Sequence, residues 1–237
     1  MSDLHISLVA EGPTDKIAIE AFLSAIITKP FVVTLLQPEV LNAFNGNFGA
    51  KGSGWCGVAR WCRAKAAEGF GNFETDPTMQ HFDLVIIHLD GDVADKSYAD
   101  CGENFPGEGL PLDLGPTMVA QRVAMLEKTL CEWLGVSAPG SKTVWCIPHL
   151  AMEAWIVAAL FPSEVAALFP SENESGDSLE STPNLDKWLA VRPLTLRLRK
   201  NTRDYKAWAT EFTQGWPFAI TTCSQASRFD SDVRSHL

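Results

Sequence analysis

The sequence lacks long apolar segments, and this absence excludes several classes of protein. No apolar run approaches the roughly 20 residues that a helix needs to cross a bilayer. A secretion signal begins with basic side chains followed by an apolar stretch. The first residues, Met1 to Leu4, include no basic side chain. We therefore expect a cytoplasmic protein that has no membrane partner.

The cysteines also lack any regular spacing. Cys56 and Cys62 lie too far apart for the Cys-x-x-Cys pair of a zinc or redox site. Disulfide frameworks are typical of small secreted chains, whereas this chain has 237 residues. Free thiols pack like small apolar side chains, so we expect free, largely buried thiols at all six positions: Cys56, Cys62, Cys101, Cys131, Cys146 and Cys223.

Positive charge is scarce, with 19 Lys and Arg against 29 Asp and Glu and a net charge of −10. This balance disfavours a surface that binds polyanions over the whole molecule. The basic segment Arg192–Lys206 is an exception, because it contains six basic residues and one acidic residue. Such a strip is typical of a phosphate-binding surface and equally of a solvated face, and both interpretations stay open.

Four apolar segments predict strands, and helical patterns alternate with them. The strand at Phe82–Leu89 is almost continuously apolar, which indicates burial on both of its faces. The alternation predicts an α/β fold with a mostly parallel central sheet and helices on both faces. We expect this core over residues 1–150 and a helical C-terminal elaboration, packed on the same domain, over residues 151–237. The predicted strands are His5–Ala10, Phe31–Leu36, Phe82–Leu89 and Lys142–Ile147.

The segments between and after the strands also carry predictions. Residues 93–115 are rich in Gly, Pro and Asp and predict a long loop, and Pro116–Leu134 has the apolar spacing of a helix. Near the end of the chain, Asp204–Phe212 predicts a short helix, and the residues from Gln225 onward predict a polar tail.

An octapeptide is repeated within the predicted helical part. Val157–Glu164 and Val165–Glu172 have the same sequence, Val-Ala-Ala-Leu-Phe-Pro-Ser-Glu. Two units are too few for a solenoid, so we assign the repeat no function.

Three acidic residues follow two of the predicted strands. Glu11 comes after the first strand, and Asp90 and Asp92 come after the third, separated by a glycine that permits a tight turn. Ligands of parallel sheets bind beyond the carboxyl ends of the strands. Mg²⁺ prefers carboxylate oxygens, and three carboxylates would hold one or two ions able to act on a phosphodiester. Asp-x-Asp alone is also typical of surface turns and of other enzymes.

The segments around these acids resemble the motifs of Toprim domains. Val9-Ala-Glu-Gly-Pro-Thr-Asp15 is similar to the first motif, and Val85-Ile-Ile-His-Leu-Asp-Gly-Asp92 is similar to the second. The Glu-Gly-x-Thr-Asp variant resembles the nucleases of the overcoming-lysogenisation-defect type. A small uncharacterised bacterial Toprim-like family resembles the second half of the chain, at Met152–Trp155, Tyr205–Lys206 and Cys223–Phe229.

The resemblance implies a Toprim-like, Rossmann-like core and a role for each matched residue. It implies Mg²⁺ or Mn²⁺ as the cofactor, with the metal ligands Glu11, Asp15, Asp90, Asp92 and Glu153. It implies catalytic roles for Glu11, Asp90, Asp92 and Lys206, and substrate contacts by Arg199, Lys200, Arg203 and Arg228. The implied function is a Mg²⁺-dependent nuclease acting on DNA or RNA, as an effector of a bacterial phage-defence or toxin-like system.

The sequence leaves two alternative functions open. The chain would be a non-catalytic Toprim-like partner subunit of an ATPase-containing complex, or another metal-dependent phosphotransfer enzyme. No Walker A motif is present, so any ATPase would be a separate protein. A topoisomerase is excluded, because the chain has two tyrosines and no domain for strand passage. His149 is interpreted as lining the site or as structural, and Trp208 and Trp216 as candidate base-stacking residues.

Overall fold

The computed structural model describes residues 3–42, 47–102, 110, 119–169 and 178–237. The chain divides into two compact units. The first unit comprises Met1–Gly12, Lys29–Ile147 and His236, and the second comprises Pro13–Thr28, Pro148–Ser235 and Leu237. The predicted helix start at Pro116 lies outside the described residues.

The first unit contains a four-stranded sheet in which every neighbouring pair is parallel. The strand order is β2-β1-β5-β6, so the first strand and the apolar strand at residues 84–88 are neighbours in the middle. The predicted α/β class with a parallel sheet is confirmed and is consistent with a Rossmann-like fold. The strands are β1 (Leu4–Val9), β2 (Phe31–Gln37), β3 (Val40–Asn42), β4 (Asn47–Phe48), β5 (Leu84–His88) and β6 (Thr143–Cys146), of which β3 and β4 form a separate antiparallel pair.

The core of the first unit is aromatic and aliphatic. Every residue of β5 is buried, as expected for a central parallel strand. Two helices, α2 (Gly54–Ala67) and α3 (Val119–Leu134), contribute Trp55, Trp61 and Trp133 to the same buried cluster. After β5 the chain forms two short 3-10 helices, Gly91–Asp95 and Tyr98–Cys101, where the sequence pattern predicted only a loop.

The expectation that all cysteines are free is wrong for one pair. Cys56 of α2 and Cys101 of the second 3-10 helix form a disulfide with their Cα atoms 5.5 Å apart. The two residues are 45 positions apart in sequence, so local spacing contained no sign of the bond. The remaining cysteines are free and buried as predicted, at Cys62, Cys131, Cys146 and Cys223.

The second unit is helical. Its core is an aromatic cluster in which Phe22 stacks on Trp216 with ring centroids 4.3 Å apart and lies 6.1 Å from Trp155. Trp216 is buried, so the idea that it stacks on bases is wrong. The helices are α1 (Pro13–Ile26), α4 (Glu153–Leu160), α5 (Pro162–Leu168), α6 (Leu185–Ala190), α7 (Thr202–Ala207), α8 (Ala209–Thr222) and α9 (Ser224–Ser235).

The two terminal helices are longer than the sequence pattern indicated. We predicted a short helix that ends at Phe212 and a polar tail from Gln225. Instead α8 continues through Pro217, and α9 forms from the polar tail by burying Phe229 and Val233. Tertiary packing on a narrow apolar stripe stabilises such helices more than their composition suggests. Within the described residues, no helix combines the length and apolar character that crossing a membrane requires.

Candidate functional site

The carboxyl ends of β1 and β5 bring Glu11 and Asp90 together. Each residue lies two positions beyond the last residue of its strand, and the two strands are parallel neighbours. Glu11 Oε1 accepts a hydrogen bond of 2.8 Å from the backbone N–H of Asp90. The predicted meeting of the two motifs at one sheet edge is therefore present for this pair. We name Glu11, Asp90 and Asp92 the acidic trio.

Asp90 lies against a histidine that the sequence pattern did not single out. His88 is the last residue of β5 and is fully buried, and its Nε2 lies 3.3 Å from Asp90 Oδ1. Asp90 itself is 7% exposed, so most of its surface is covered by protein. A buried ring at this distance restricts the orientation of the carboxylate.

Asp92 contacts a lysine one helical turn further along. Lys96 Nζ lies 3.0 Å from Asp92 Oδ2, and both side chains are partly exposed. The hydrogen bond to Asp92 raises the pKa of Lys96, and the negative charges of Asp92, Glu11 and Asp100 act in the same direction. Asp92 is therefore already paired with one positive charge from its own chain.

Two further contacts hold the backbone of this region. Arg122, buried on α3, donates to the carbonyl oxygen of Gly91 at 3.2 Å and to Asp95 Oδ2 at 3.0 Å. Gly54, the first residue of α2, donates its N–H to the carbonyl oxygen of Glu11 at 2.7 Å. Helices α2 and α3 thus fix the two turns from which the acidic trio extends.

The chemistry of the acidic trio fits a hard divalent cation. Carboxylate oxygens are the ligands that Mg²⁺ prefers, and it is usually held by one or two of them together with water. The ammonium group of Lys96 beside Asp92 marks a position where positive charge is stabilised. Across the described residues, no group of three or more His, Cys, Asp or Glu side chains is arranged as a metal site.

Other predicted site residues form a cluster in the second unit. Glu153, 3% exposed, is the first residue of α4, and its Oε1 lies 2.8 Å from Lys200 Nζ. Tyr205 donates its hydroxyl to the same oxygen at 3.2 Å. Here a predicted metal ligand and a predicted substrate-binding lysine form one ion pair.

The remaining predicted residues also belong to the second unit. Asp15 is buried in the first turn of α1. Lys206, Arg199 and Arg203 are exposed along the basic segment, and Arg228 lies 3.7 Å from Asp232 on α9. Their roles in catalysis and substrate binding stay predictions.

His149 belongs to the interior of the second unit. Its Nδ1 lies 3.2 Å from the carbonyl oxygen of Glu180 and 3.2 Å from Ser181 Oγ, and the residue is fully buried. These contacts support the structural interpretation of this histidine.

Sequence reasoning missed His88, Lys96 and Arg122. Lys96 had a usable signal, because an acidic and a basic residue four positions apart are neighbours on a helical turn. His88 lies within the strand motif itself, where its apolar neighbours gave it the appearance of a core position. Arg122 had no signal, because its partners Gly91 and Asp95 are about 30 residues away in sequence.

Comparisons of the chain with protein families, with curated proteins and with solved structures gave no match.

Proposed function

We propose that the protein is a Toprim-like, Mg²⁺-dependent nuclease that hydrolyses phosphodiester bonds of DNA or RNA. The observation that carries the proposal is the contact of Glu11 with Asp90 at the carboxyl edge of two adjacent parallel strands. Ligand sites of parallel sheets lie at this edge. The bound cation would polarise the phosphodiester and stabilise the leaving oxygen.

The chain's own residues would position the reacting groups. Glu11 and Asp90 orient each other through the backbone N–H of Asp90, and His88 limits rotation of the Asp90 carboxylate. Glu11 would also accept a proton from the attacking water, a role that requires its carboxylate to lie within hydrogen-bond reach of that water. Asp92 would complete the anionic side of the site.

The basic segment of the second unit is the proposed contact for the nucleic-acid backbone. Arg199, Lys200, Arg203 and Lys206 are exposed, and phosphate contacts are made mainly by such side chains. Binding through them would weaken steeply with salt, because each neutralised phosphate releases counterions. The proposed biological setting is a cytoplasmic phage-defence or toxin-like system.

The proposal is tested by incubating the purified protein with plasmid DNA, single-stranded DNA and total tRNA, each with Mg²⁺ or Mn²⁺. We expect cleavage by the wild type and a loss of at least about 100-fold in Glu11→Gln, Asp90→Asn and Asp92→Asn, the scale of losing a group that acts on the transition state. Glu132→Gln is the matched control, because it neutralises an exposed carboxylate on α3. Equal cleavage by wild type and all three variants would show that the acidic trio is not the active site.

A second candidate is a non-catalytic binding subunit of an ATPase-containing complex. It is favoured by the contacts that Asp90 and Asp92 make with His88 and Lys96, since these engage the carboxylates without any ligand. The same assay separates the two functions. If the wild type cleaves none of the substrates and instead co-purifies with an ATPase, the binding function is supported.

A further inference from the structure

An exposed apolar turn lies within the basic segment of the second unit. Val191, Leu194 and Leu196 are 77%, 81% and 38% exposed. The N–H of Leu196 donates to the carbonyl oxygen of Pro193 at 2.8 Å, which closes a tight turn with Leu194 as one of its two central residues. We name Val191, Leu194 and Leu196 the apolar tip. Large apolar side chains exposed this close together are typical of an interaction surface.

Backbone contacts hold the turn on the folded unit from both ends. The N–H of Leu198 donates to the carbonyl oxygen of Leu189 at 3.2 Å, and both leucines are buried. Arg197 Nε donates to the carbonyl oxygen of Arg192 at 3.1 Å, which joins the two sides of the turn. The apolar tip therefore extends from a fixed base.

The side chain of Arg192 strengthens this base. Its guanidinium carbon lies 4.3 Å from the centre of the Trp188 ring and 4.7 Å from that of Phe161, and it forms an ion pair with Glu164. Because the turn is already ordered, a ligand that binds the apolar tip would lose little free energy in ordering it.

Cations follow the apolar tip along the chain. Arg197 comes directly after it, and Arg199, Arg203 and Lys206 are exposed further on. Arginine predominates in the segment, and its planar guanidinium can donate two parallel hydrogen bonds to a phosphate. The charge of the segment therefore complements a ligand that carries phosphates outside an apolar interior.

Duplex DNA matches this surface better than a bilayer or a single strand. A bilayer is a broad anionic surface that would also repel the rest of the chain, which is more acidic than the basic segment, whereas a duplex is a narrow rod. Single strands are bound by exposed aromatic rings, but Tyr205, the one aromatic residue of Arg192–Lys206, is buried. Aliphatic side chains instead act as wedges that enter between base pairs and unstack them.

We propose that the apolar tip inserts between neighbouring base pairs of double-stranded DNA while Arg197, Arg199 and Arg203 contact the phosphates beside that step. The proposal rests on the proposed nucleic-acid contact of the basic segment and specifies duplex DNA as the substrate. Insertion would bury leucine surface that is now in water and would kink the duplex. Double-stranded RNA matches less well, because proteins recognise it mainly by polar contacts to phosphates and 2′-hydroxyls.

The test measures binding of the full chain to a short DNA duplex in EDTA, so that metal-dependent cleavage does not interfere. The duplex contains a fluorescent base analogue whose emission rises when its stacking is lost. We expect the wild type to bind and to raise the emission. Leu194→Ser/Leu196→Ser should lower the affinity by at least about tenfold and abolish the rise, because the wedge is lost.

Two further variants serve as controls. Leu41→Ser changes a leucine of β3 in the first unit that is 60% exposed, and it should bind like the wild type. Arg199→Gln/Arg203→Gln should flatten the slope of log affinity against log salt by about two, since each phosphate contact contributes about 0.9. The leucine variant should keep the wild-type slope, because its phosphate contacts are intact.

The outcomes separate this inference from the proposed nuclease function. Duplex binding without a rise in emission, or wild-type affinity in the leucine variant, would overturn the insertion. Tighter binding to the single strand, or to vesicles of phosphatidylcholine and phosphatidylserine, would also overturn it and would assign the apolar tip to that ligand. Insertion without any cleavage in the metal-dependent assay would support the inference and contradict the nuclease function.

Discussion

Glu180 shows how a single buried carboxylate organises the second unit. It accepts hydrogen bonds from Trp155 Nε1 at 2.8 Å, from Ser224 Oγ at 2.9 Å and from the backbone N–H of Gln225. The last two donors belong to the first turn of α9, where a negative charge also interacts favourably with the helix dipole. Burial nevertheless raises the pKa of Glu180 above its ordinary value of 4.5, because desolvation outweighs these hydrogen bonds.

We predict that Glu180 makes the protein less stable as pH rises. A carboxyl group with a raised pKa in the folded state binds its proton more tightly when folded than when unfolded. The stability it contributes is therefore complete below pH 4.5 and decreases as pH rises through the folded-state pKa. Chemical denaturation between pH 4 and pH 8 should show this decrease for the wild type relative to Glu180→Gln.

Glu211→Gln is the control for Glu180, because Glu211 is an exposed carboxylate on α8 of the same unit. It provides the baseline for replacing a carboxylate by an amide. If the stability of the wild type relative to Glu180→Gln increased with pH, the raised pKa would be wrong.

At the scale of whole elements, helices α4 and α8 pack at very short range. A Cβ atom added to Gly215 of α8 would lie 2.0 Å from the carbonyl oxygen of Ala159 on α4. The neighbouring atoms belong to the backbone, so they cannot move aside like the end of a side chain. Gly215 therefore determines how closely these two helices approach.

We predict that Gly215→Ala destabilises the protein although alanine favours helix formation. The gain in helix propensity is about 1 kcal/mol, whereas overpacking costs about 1–3 kcal/mol or more. Because the clash is with backbone atoms of Ala159, the cost lies at the upper end of that range, and the free energy of unfolding, measured with urea, should fall by about 1–2 kcal/mol.

Thr210→Ala tests the same helix at an exposed position. Surface substitutions of this kind change stability by less than about 0.5 kcal/mol, so this variant should resemble the wild type. A Gly215→Ala protein that is more stable than wild type would contradict the close packing of α4 on α8.

At the scale of the molecule, the disulfide connects α2 to the segment that follows the acidic trio. Arg60 of α2 also donates to the carbonyl oxygen of Cys101 at 2.8 Å, and Trp133 of α3 donates to Tyr98 Oη at 2.9 Å. The covalent bond and these two hydrogen bonds hold the second 3-10 helix on the first unit. Disulfides are rare in cytosolic proteins, so this bond does not favour the predicted cytoplasmic location.

We predict that reduction of Cys56–Cys101 lowers the free energy of unfolding by about 2–4 kcal/mol, since the closed loop limits the unfolded chain. The measurement is guanidinium denaturation with and without dithiothreitol. A Cys56→Ser/Cys101→Ser variant should be insensitive to the reductant.

A thiol titration of the denatured, non-reduced protein provides a separate check. It should detect the four free cysteines and not all six. Six reactive thiols would contradict the bond.

The four strands of the parallel sheet and the acids that follow them were predictable from the sequence alone, whereas the short pair β3 and β4 was not. Burial in a parallel sheet requires apolar runs. Such a run can be recognised in the sequence without knowing which segments pack against it. For the same reason the apolar runs by themselves place Glu11, Asp90 and Asp92 after strands. The helical tail after Phe212 was not predictable. Helix α9 is stabilised by a few apolar residues, and they contribute only when they are packed against other parts of the fold.

The repeated octapeptide separates what sequence determines from what only tertiary structure decides. The first four residues of both copies are helical, as expected of identical residues, and the first valine of each copy is buried. The two alanines that follow are nevertheless buried in the first copy, at Ala158 and Ala159, and exposed in the second, at Ala166 and Ala167. The same distinction applies at the site. Sequence placed each acid at the end of a strand, but only the strand order made β1 and β5 neighbours and brought Glu11 to Asp90. Contacts between residues distant in sequence depend on the packing of the whole chain, which local patterns do not specify.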